Sequence, residues 1–316
     1  MRIKFWGVRG SIPTPINTDS ITDKITRALS LAKGVNLDDP EAIKSFVDSL
    51  PMEIKGTCGG NTSCVEVNLA GHNLIFDAGS GLRELGLHYM QGPFGRGQGV
   101  AHFFMSHTHW DHIQGFPFFI PAYIPGNKFY VYSPKKDLQA KFTTQQIDQD
   151  MFPMKLDQMA STKEFVSIGP EGVSLDGITV DCILLHHPGG SYAYRIKAEN
   201  KILVYATDGE YQDLSFTALQ RYLDFFSQAD VLIFDSMYTF SESMVKEGWG
   251  HSSSLVGVDM AVKTGVKNLV LFHHEPTYHD SQLVEILEKT TQYYSLVREN
   301  SHLEVTLAIE GQELVI

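Results

Sequence analysis

The sequence predicts an α/β fold built from sheets covered by helices, and two features predict it. Short apolar runs with strand character recur along the chain and alternate with stretches of helical periodicity. At 316 residues and 43% hydrophobic, the chain can also bury a large core. Strands are expected at residues 2–7, 63–69, 73–77, 100–105, 128–133, 178–184, 192–196, 202–206, 231–234, 269–272 and 304–309. Helical spacing marks 214–228, 253–263 and 282–297. Alternation of this kind lays helices over the faces of sheets.

From the N-terminus, Met1-Arg2-Ile3-Lys4 passes straight into the first strand without a signal-like segment. Within 17–55, Ile21, Ile25, Ala28, Leu29 and Ala32 fall at helical spacing. Pro40-Glu41-Ala42-Ile43-Lys44-Ser45-Phe46-Val47 reads as a second helix, with Asp39 as its cap and Pro40 in its first turn. This helical hairpin either packs against the sheets or forms a cleft wall or a dimer surface. Gly59-Gly60-Asn61-Thr62-Ser63 and Asp77-Ala78-Gly79-Ser80-Gly81 are turns at strand ends, where glycine lets backbone approach closely. Residues 143–156 read as a polar helix interrupted by Phe152-Pro153-Met154, a second candidate wall. No Pro/Ser-rich linker, repeat or low-complexity tract divides the chain, which predicts one domain over 1–316.

Composition narrows the function classes. No apolar stretch approaches the roughly 20 residues that span a bilayer, so no membrane partner and a cytoplasmic location are expected. Cys58, Cys64 and Cys182 are odd in number and lack CxxC spacing, which points to buried free thiols. The net charge of −12 weakens any case for nucleic acid, whose binding draws on a basic face. Small phosphate esters stay open, because their charge can be met locally by metal.

The chemistry concentrates in Ser106-His107-Thr108-His109-Trp110-Asp111-His112, directly after the apolar run Val100-Ala101-His102-Phe103-Phe104-Met105. A buried strand ends there, and the loop aims His107 and His109 to one side and Asp111 and His112 to the other. Imidazole nitrogens with a carboxylate suit zinc, iron or manganese rather than calcium. Further donors come after other apolar runs: His186-His187-Pro188-Gly189-Gly190 after 180–185, Thr207-Asp208-Gly209 after 202–206, and His273-His274 after 269–272. In each His-His pair only one ring can enter a site from an extended chain, since successive side chains face opposite ways.

At this point the chain resembles the metallo-β-lactamase-fold hydrolases, whose pattern is HxHxDH, then His, Asp and His, and the resemblance covers nearly its whole length. It implies an αββα sandwich and two divalent ions, zinc with manganese or iron as alternatives. His107, His109 and His187 would hold the first ion, Asp111, His112 and His273 the second, and Asp208 would bridge them. His187 and His273 are preferred because the family places its ligand just before the Pro-Gly turn and directly after the strand. His274 would then lie behind the ligands, face substrate or be structural. Asp77 would support a ligand from beneath the metal loop, and Asn61 would touch substrate. Residues 17–55 depart from shorter versions of the pattern and read as an insertion.

Gly248-Trp249-Gly250-His251-Ser252-Ser253-Ser254 is the segment that discriminates between reactions. Ser252 or Ser253 can cap the adjoining helix. His251 is similar to the histidine with which phosphodiesterases of this superfamily, including the tRNA 3′-processing endonucleases, protonate the leaving alkoxide. The resemblance thus implies a dinuclear phosphodiesterase for small or cyclic phosphodiesters. A metal-bridged hydroxide would be its nucleophile, Asp111 would help orient that nucleophile, and His251 would be the general acid. The alternatives are a lactonase or β-lactamase-like hydrolase, which has no need of His251, and an RNA endonuclease, against which the acidic charge stands. A homodimer is a further expectation.

Overall fold

Two seven-stranded sheets face each other across the main core. The computed structural model describes residues 1–150, 152–169, 171–298 and 301–316. In the first sheet β1 (Arg2–Gly7), β2 (Cys64–Leu69), β3 (His72–Phe76), β4 (Val100–Phe104), β5 (Lys128–Ser133) and β6 (Thr162–Ser167) lie side by side in chain order. The second runs likewise through β7 (Val173–Leu175), β8 (Ile178–Leu185), β9 (Ser191–Ala198), β10 (Lys201–Ala206), β11 (Val231–Asp235), β12 (Asn268–Phe272) and β13 (Glu304–Leu307). β14 (Glu313–Val315) returns to the first sheet, antiparallel to β1. Strands β3 to β6 are mutually parallel, as are β10 to β13.

Three helical segments, α1 (Thr18–Leu31), α2 (Pro40–Ser49) and the single turn α3 (Met52–Lys55), fill the excursion between β1 and β2. Helices α4 (Leu82–Tyr89) and, beyond the short α5 (Trp110–Ile113), α6 (Leu138–Gln145) pack on the outer face of the first sheet. Helix α7 (Phe216–Phe226), then, past α8 (Phe240–Val245), α9 (Ser254–Thr264) and α10 (Asp280–Val297) cover the second. The central parallel strands are mostly apolar because both faces are buried. In β11, Val231 and Ile233 enter the inter-sheet core while Leu232 and Phe234 meet the helices. The layers are helix, sheet, sheet, helix, the αββα sandwich that the resemblance implied.

The strands absent from the sequence reading are β6, β7 and β14, and each lies at a sheet edge. Edge strands keep polar residues and partial exposure, so they carry no apolar run to find. The expected helix over 143–156 is a correction. α6 stops at Gln145, the described residues 146–150 and 152–155 are not helical, and a 3₁₀ turn follows at Leu156–Gln158, while residue 151 of the expected helix lies outside the described residues. Phe152 there rests edge-on against Phe118.

In the hairpin, Asn17 and Asp39 cap α1 and α2 by accepting from the Ser20 and Glu41 amides, and Pro40 opens α2. Neither helix buries a residue, and Ile21, Ile25, Leu29, Ile43 and Val47 stay exposed. The hairpin is pinned instead by Lys24. Its Nζ donates to the Glu53 and Gly56 carbonyls and pairs with Asp280 at 2.7 Å. All three cysteines are free and buried. No helix among the described residues is long and apolar enough to cross a membrane.

Candidate metal centre

Strand register sets the site. Phe76 pairs with Phe104, Ala206 with Phe234 and Asp235 with Phe272, so these parallel strands end level. The residues just past their ends gather along one edge of the sandwich, where the carboxyl ends of parallel strands hold ligands. Asp77, Asp208 and His273 come after β3, β10 and β12 with φ of 60°, 55° and 60°. Left-handed backbone costs roughly 1–3 kcal/mol for such residues and persists where the surroundings demand it, characteristically at functional sites.

Donor atoms of His107, His109 and His187 lie within 4.8 Å of one another, as do those of His107, His112 and Asp208, and those of Asp111, His112 and His273. Asp208 stands between two groups. Its Oδ1 is 3.7 Å from His107 and from His187, and its Oδ2 is 3.3 Å from His112 and 3.4 Å from His273. Several rings are oriented from behind. His107 Nδ1 meets Ser106 Oγ at 3.0 Å, His112 Nδ1 meets Asp77 at 2.8 Å, and His187 Nδ1 meets the Gly250 carbonyl at 2.9 Å. The opposite nitrogens are thereby left for the centre of the cluster. His107 Nε2 is buried with no hydrogen-bond partner among the described residues, a lone pair that a metal ion fits.

The paired histidines separate cleanly. His187 is buried in the cluster, whereas His186 is exposed and lies 3.8 Å from Glu210. His273 faces Asp111 and His112 at 3.3 Å each. His274 turns away, and its Nε2 meets the Ala308 carbonyl at 2.9 Å deep in the protein, so of the roles open to it the structural one applies and the substrate-facing one does not. The Asn61 side chain donates to Glu310 and accepts from the Ser80 hydroxyl, bonds that hold the turn beside β2. Asp77 sits beneath the loop. It accepts from the Ser106 amide and hydroxyl and from the Tyr205 hydroxyl besides meeting His112.

Burial and the nearby His112 push His107 well below its ordinary value, and burial also lowers His109 and His187. Burial alone would raise Asp208 and Asp111, but the surrounding imidazoles outweigh it and hold both carboxyls below the usual range. His112 shows the converse. Burial opposes its charge, yet Asp208, Asp111 and Asp77 hold it well above the ordinary histidine value. Three neutral rings beside close-set carboxylates make a pocket that draws cations.

His251 adjoins this cluster, its ring 5.2 Å from His187 and 5.1 Å from His273. Its Nδ1 lies 2.7 Å from Asp235, a buried carboxylate at the end of β11 that overcomes the effect of burial and raises the ring to about 9. Sequence reasoning missed Asp235, although it closes the apolar run Val231-Leu232-Ile233-Phe234 just as Asp77 and Asp208 come after theirs. It also missed Glu210, which accepts from the Gly248 and Gly250 amides and so anchors the loop carrying His251. Gly250 itself has φ of 87°, and a Cβ there would come within 2.2 Å of His187 Nδ1. Gly10 is likewise needed, because a Cβ would meet the His273 ring at 2.5 Å. Ser253 occupies the cap position of α9, but its hydroxyl makes no capping bond.

Residues 72–274 match the family described as the Beta-lactamase superfamily domain, a span that holds every clustered ligand and leaves out the hairpin. The chain belongs to the beta-lactamase superfamily. Among curated proteins it is similar to a Ribonuclease Z of Picrophilus torridus, 23% identical over 259 aligned positions that cover 66% of this chain and 79% of that one. Among solved structures it resembles YhfI, a metallo-beta-lactamase fold protein of Bacillus subtilis, with a TM-score of 0.66 and 17% identity over 99% of this chain and 98% of that one. It also resembles a diphosphatase of the PhnP family, with a TM-score of 0.61 and 17% identity over 100% of this chain and 97% of that one. These structural likenesses show the fold. The superfamily is metal-dependent, and the His/Asp groups at the strand ends of this member can bind metal.

Proposed function

We propose that this superfamily member is a phosphodiesterase for small or cyclic phosphodiesters, working with two divalent ions, zinc or else manganese or iron. The observation that carries the reading is the Asp235–His251 pair beside the ligand cluster. Lactone or β-lactam opening has no need of a second imidazole there, whereas expulsion of an alkoxide from phosphorus needs a proton. The likeness to a Ribonuclease Z and to a diphosphatase supports phosphoester chemistry.

His107, His109 and His187 would hold one ion and Asp111, His112 and His273 the other, with Asp208 shared. Bound there, the ions supply Lewis-acid stabilisation of charge on the phosphoryl oxygens and make water acidic near neutrality. Asp235 accepts from His251 Nδ1, fixing the tautomer that leaves Nε2 as the proton donor and stabilising the imidazolium. His251 then passes its proton to the departing oxygen. Asp111, whose Oδ2 accepts from the Ser11 amide at 2.7 Å, would help orient the attacking water. Asp77 keeps His112 turned inward.

A tRNA 3′-processing reading is favoured by the similarity to a Ribonuclease Z and opposed by the net charge of −12, which penalises a long polyanion. The test is a substrate panel on metal-replete protein. Bis(p-nitrophenyl) phosphate and cyclic nucleotides are expected to be hydrolysed, with little or no turnover of a lactone, a thioester, a β-lactam or a precursor tRNA. Preferential turnover of the lactone or β-lactam would overturn the phosphodiesterase reading. Preferential cleavage of the tRNA would replace it with the endonuclease.

A further inference from the structure

The clustered imidazoles are not all held in the same way. His107, His112 and His187 each have a partner on Nδ1, whereas His273 Nδ1 is buried with no hydrogen-bond partner among the described residues. A bond of that kind is what usually fixes a ligand ring, so His273 depends on packing for its orientation. Backbone lies against it. A Cβ on Gly10 would come within 2.5 Å of both its Nδ1 and its Cε1.

Gly10 belongs to the short loop past β1, which meets a second ligand through the Ser11 amide, a donor to Asp111 Oδ2 at 2.7 Å. Ser11 has φ of 60°, left-handed backbone that a residue other than glycine keeps only where its surroundings demand it. Two devices hold this loop. One is backbone pairing, in which the Gly10 amide donates to the His274 carbonyl at 3.0 Å and the His274 amide to the Val8 carbonyl at 2.9 Å. The other is Arg9. Its side chain is 4% exposed, and it donates from Nε to the Gly59 carbonyl and from Nη1 to the Glu275 and Tyr278 carbonyls, each at 2.9 Å. Gly59 precedes β2, while Glu275 and Tyr278 follow His273 on the way into α10, so one guanidinium ties the loop to two other segments. Burial holds that guanidinium below the ordinary arginine value. A buried charge is a poor source of net stability; what this one supplies is a fixed spacing between the three segments.

We propose that Arg9 is a positioning residue for the ligand group Asp111, His112 and His273. By fixing the loop past β1 against the segment past β12, it keeps Gly10 on the His273 ring and the Ser11 amide on Asp111. The other group has supports of its own, Ser106 behind His107 and the Gly250 carbonyl behind His187. Loss of Arg9 therefore loosens one ion and spares the other. This role rests on the two-ion reading of the site.

The test is competition between the metal-replete full chain, loaded with zinc, and graded amounts of a chelator, with the zinc retained counted by elemental analysis. The wild type is expected to hold two ions, and His273→Ala marks which of the two release steps belongs to the Asp111, His112 and His273 group. In Arg9→Met that step should shift about 10- to 100-fold towards weaker binding, the usual loss when a ligand's support is removed, while the other step stays in place. Arg9→Lys keeps the charge but not the planar fork that spans the carbonyls, and it should fall between; it decides the matter if Arg9→Met does not fold. Gly10→Ala leaves Arg9 intact, sets a methyl against the His273 ring and should reproduce the selective shift. Ile178→Ala is the control, a core truncation at the end of β8 away from His187. It should lower Tm and leave both steps unmoved. Equal weakening of both ions in the Arg9 variants, or a selective shift in Ile178→Ala as well, would mean general loosening and overturn the positioning role. Two ions in the wild type and undiminished binding in the Arg9 variants would overturn that role alone. A wild-type chain that saturates at one ion would overturn the two-ion reading and the role of Arg9 with it.

Discussion

The metal loop over 106–112 and the hairpin over 18–49 both interrupt the sandwich, and they are held in opposite ways. In the loop, His107, Asp111 and His112 are buried, and their partners come from distant strand ends, Asp77, Asp208 and His273. In the hairpin no residue of α1 or α2 is buried, and one lysine supplies the deep anchor. The lesson is that chemical type was a better guide to burial than hydrophobicity. His107, Asp111, His112, Asp208 and His273 went inside, while Ile21 and Ile25 at helical spacing stayed out.

The comparison breaks most visibly if Asp208 is not the hub of the loop side. On the proposed reading, Asp208→Ala should abolish phosphodiesterase activity and take metal content from two ions per chain to none, measured by elemental analysis after reconstitution. Retention of one ion would show that Asp208 serves only one group of ligands. His251→Ala comes next. Its metal content and folding should be intact, while kcat falls by about 10²–10⁴ for a diester with a poor leaving group. For p-nitrophenolate, which scarcely needs a proton, the loss should shrink. Equal losses on both esters would make His251 a positioning residue, and loss of metal would make it a ligand.

Asp77→Ala sharpens the same side of the comparison through stability. The carboxylate is fully buried and holds Ser106, His112 and Tyr205 together. Stripping a buried charged partner of this kind costs about 3–5 kcal/mol, read from the urea midpoint of metal-free protein. A change under about 1 kcal/mol would mean that the loop holds its shape without the support beneath it.

The same physics decided how much was legible in the sequence. Central strands announce themselves because both faces are buried, and the ligands announce themselves because each comes after such a strand. Edge strands β6, β7 and β14 have no apolar run to show, and Asp235 was passed over because closing an apolar run does not by itself mark a role. Its role is created by His251, sixteen residues away in sequence and 2.7 Å away in space. Gly10 is a similar case, since only the His273 ring lying against it makes a side chain impossible there. The choice between His273 and His274 needed geometry too. Both sit at the end of the same strand, and the positive φ of His273 is what aims it inward.

The smallest effects lie in the hairpin, where they distinguish a polar pin from apolar packing. Ile25→Ser and Leu29→Ser should change unfolding free energy by no more than about 0.5 kcal/mol, because both side chains are already exposed. If these residues form a dimer surface, sedimentation will show the double variant shifted to monomer with the fold intact. Lys24→Met should cost more, about 1.5–3 kcal/mol, since its ammonium donates to a carboxylate and two carbonyls in a partly buried site. Its pH dependence is the sharper test. Burial would raise Asp280, but Lys24, the Cys58 amide and the Thr57 hydroxyl hold its carboxyl below the usual range. A depressed folded value stabilises the protein above the unfolded aspartate pKa of about 3.9, and that contribution fades as pH falls from there through the folded value. The cost of Lys24→Met should therefore be full at pH 7 and shrink on acidification below about pH 4, whereas Ile25→Ser and Leu29→Ser stay flat. A Lys24→Met cost that is independent of pH would mean that the carbonyl contacts, rather than the ion pair with Asp280, pin the insertion to the sandwich.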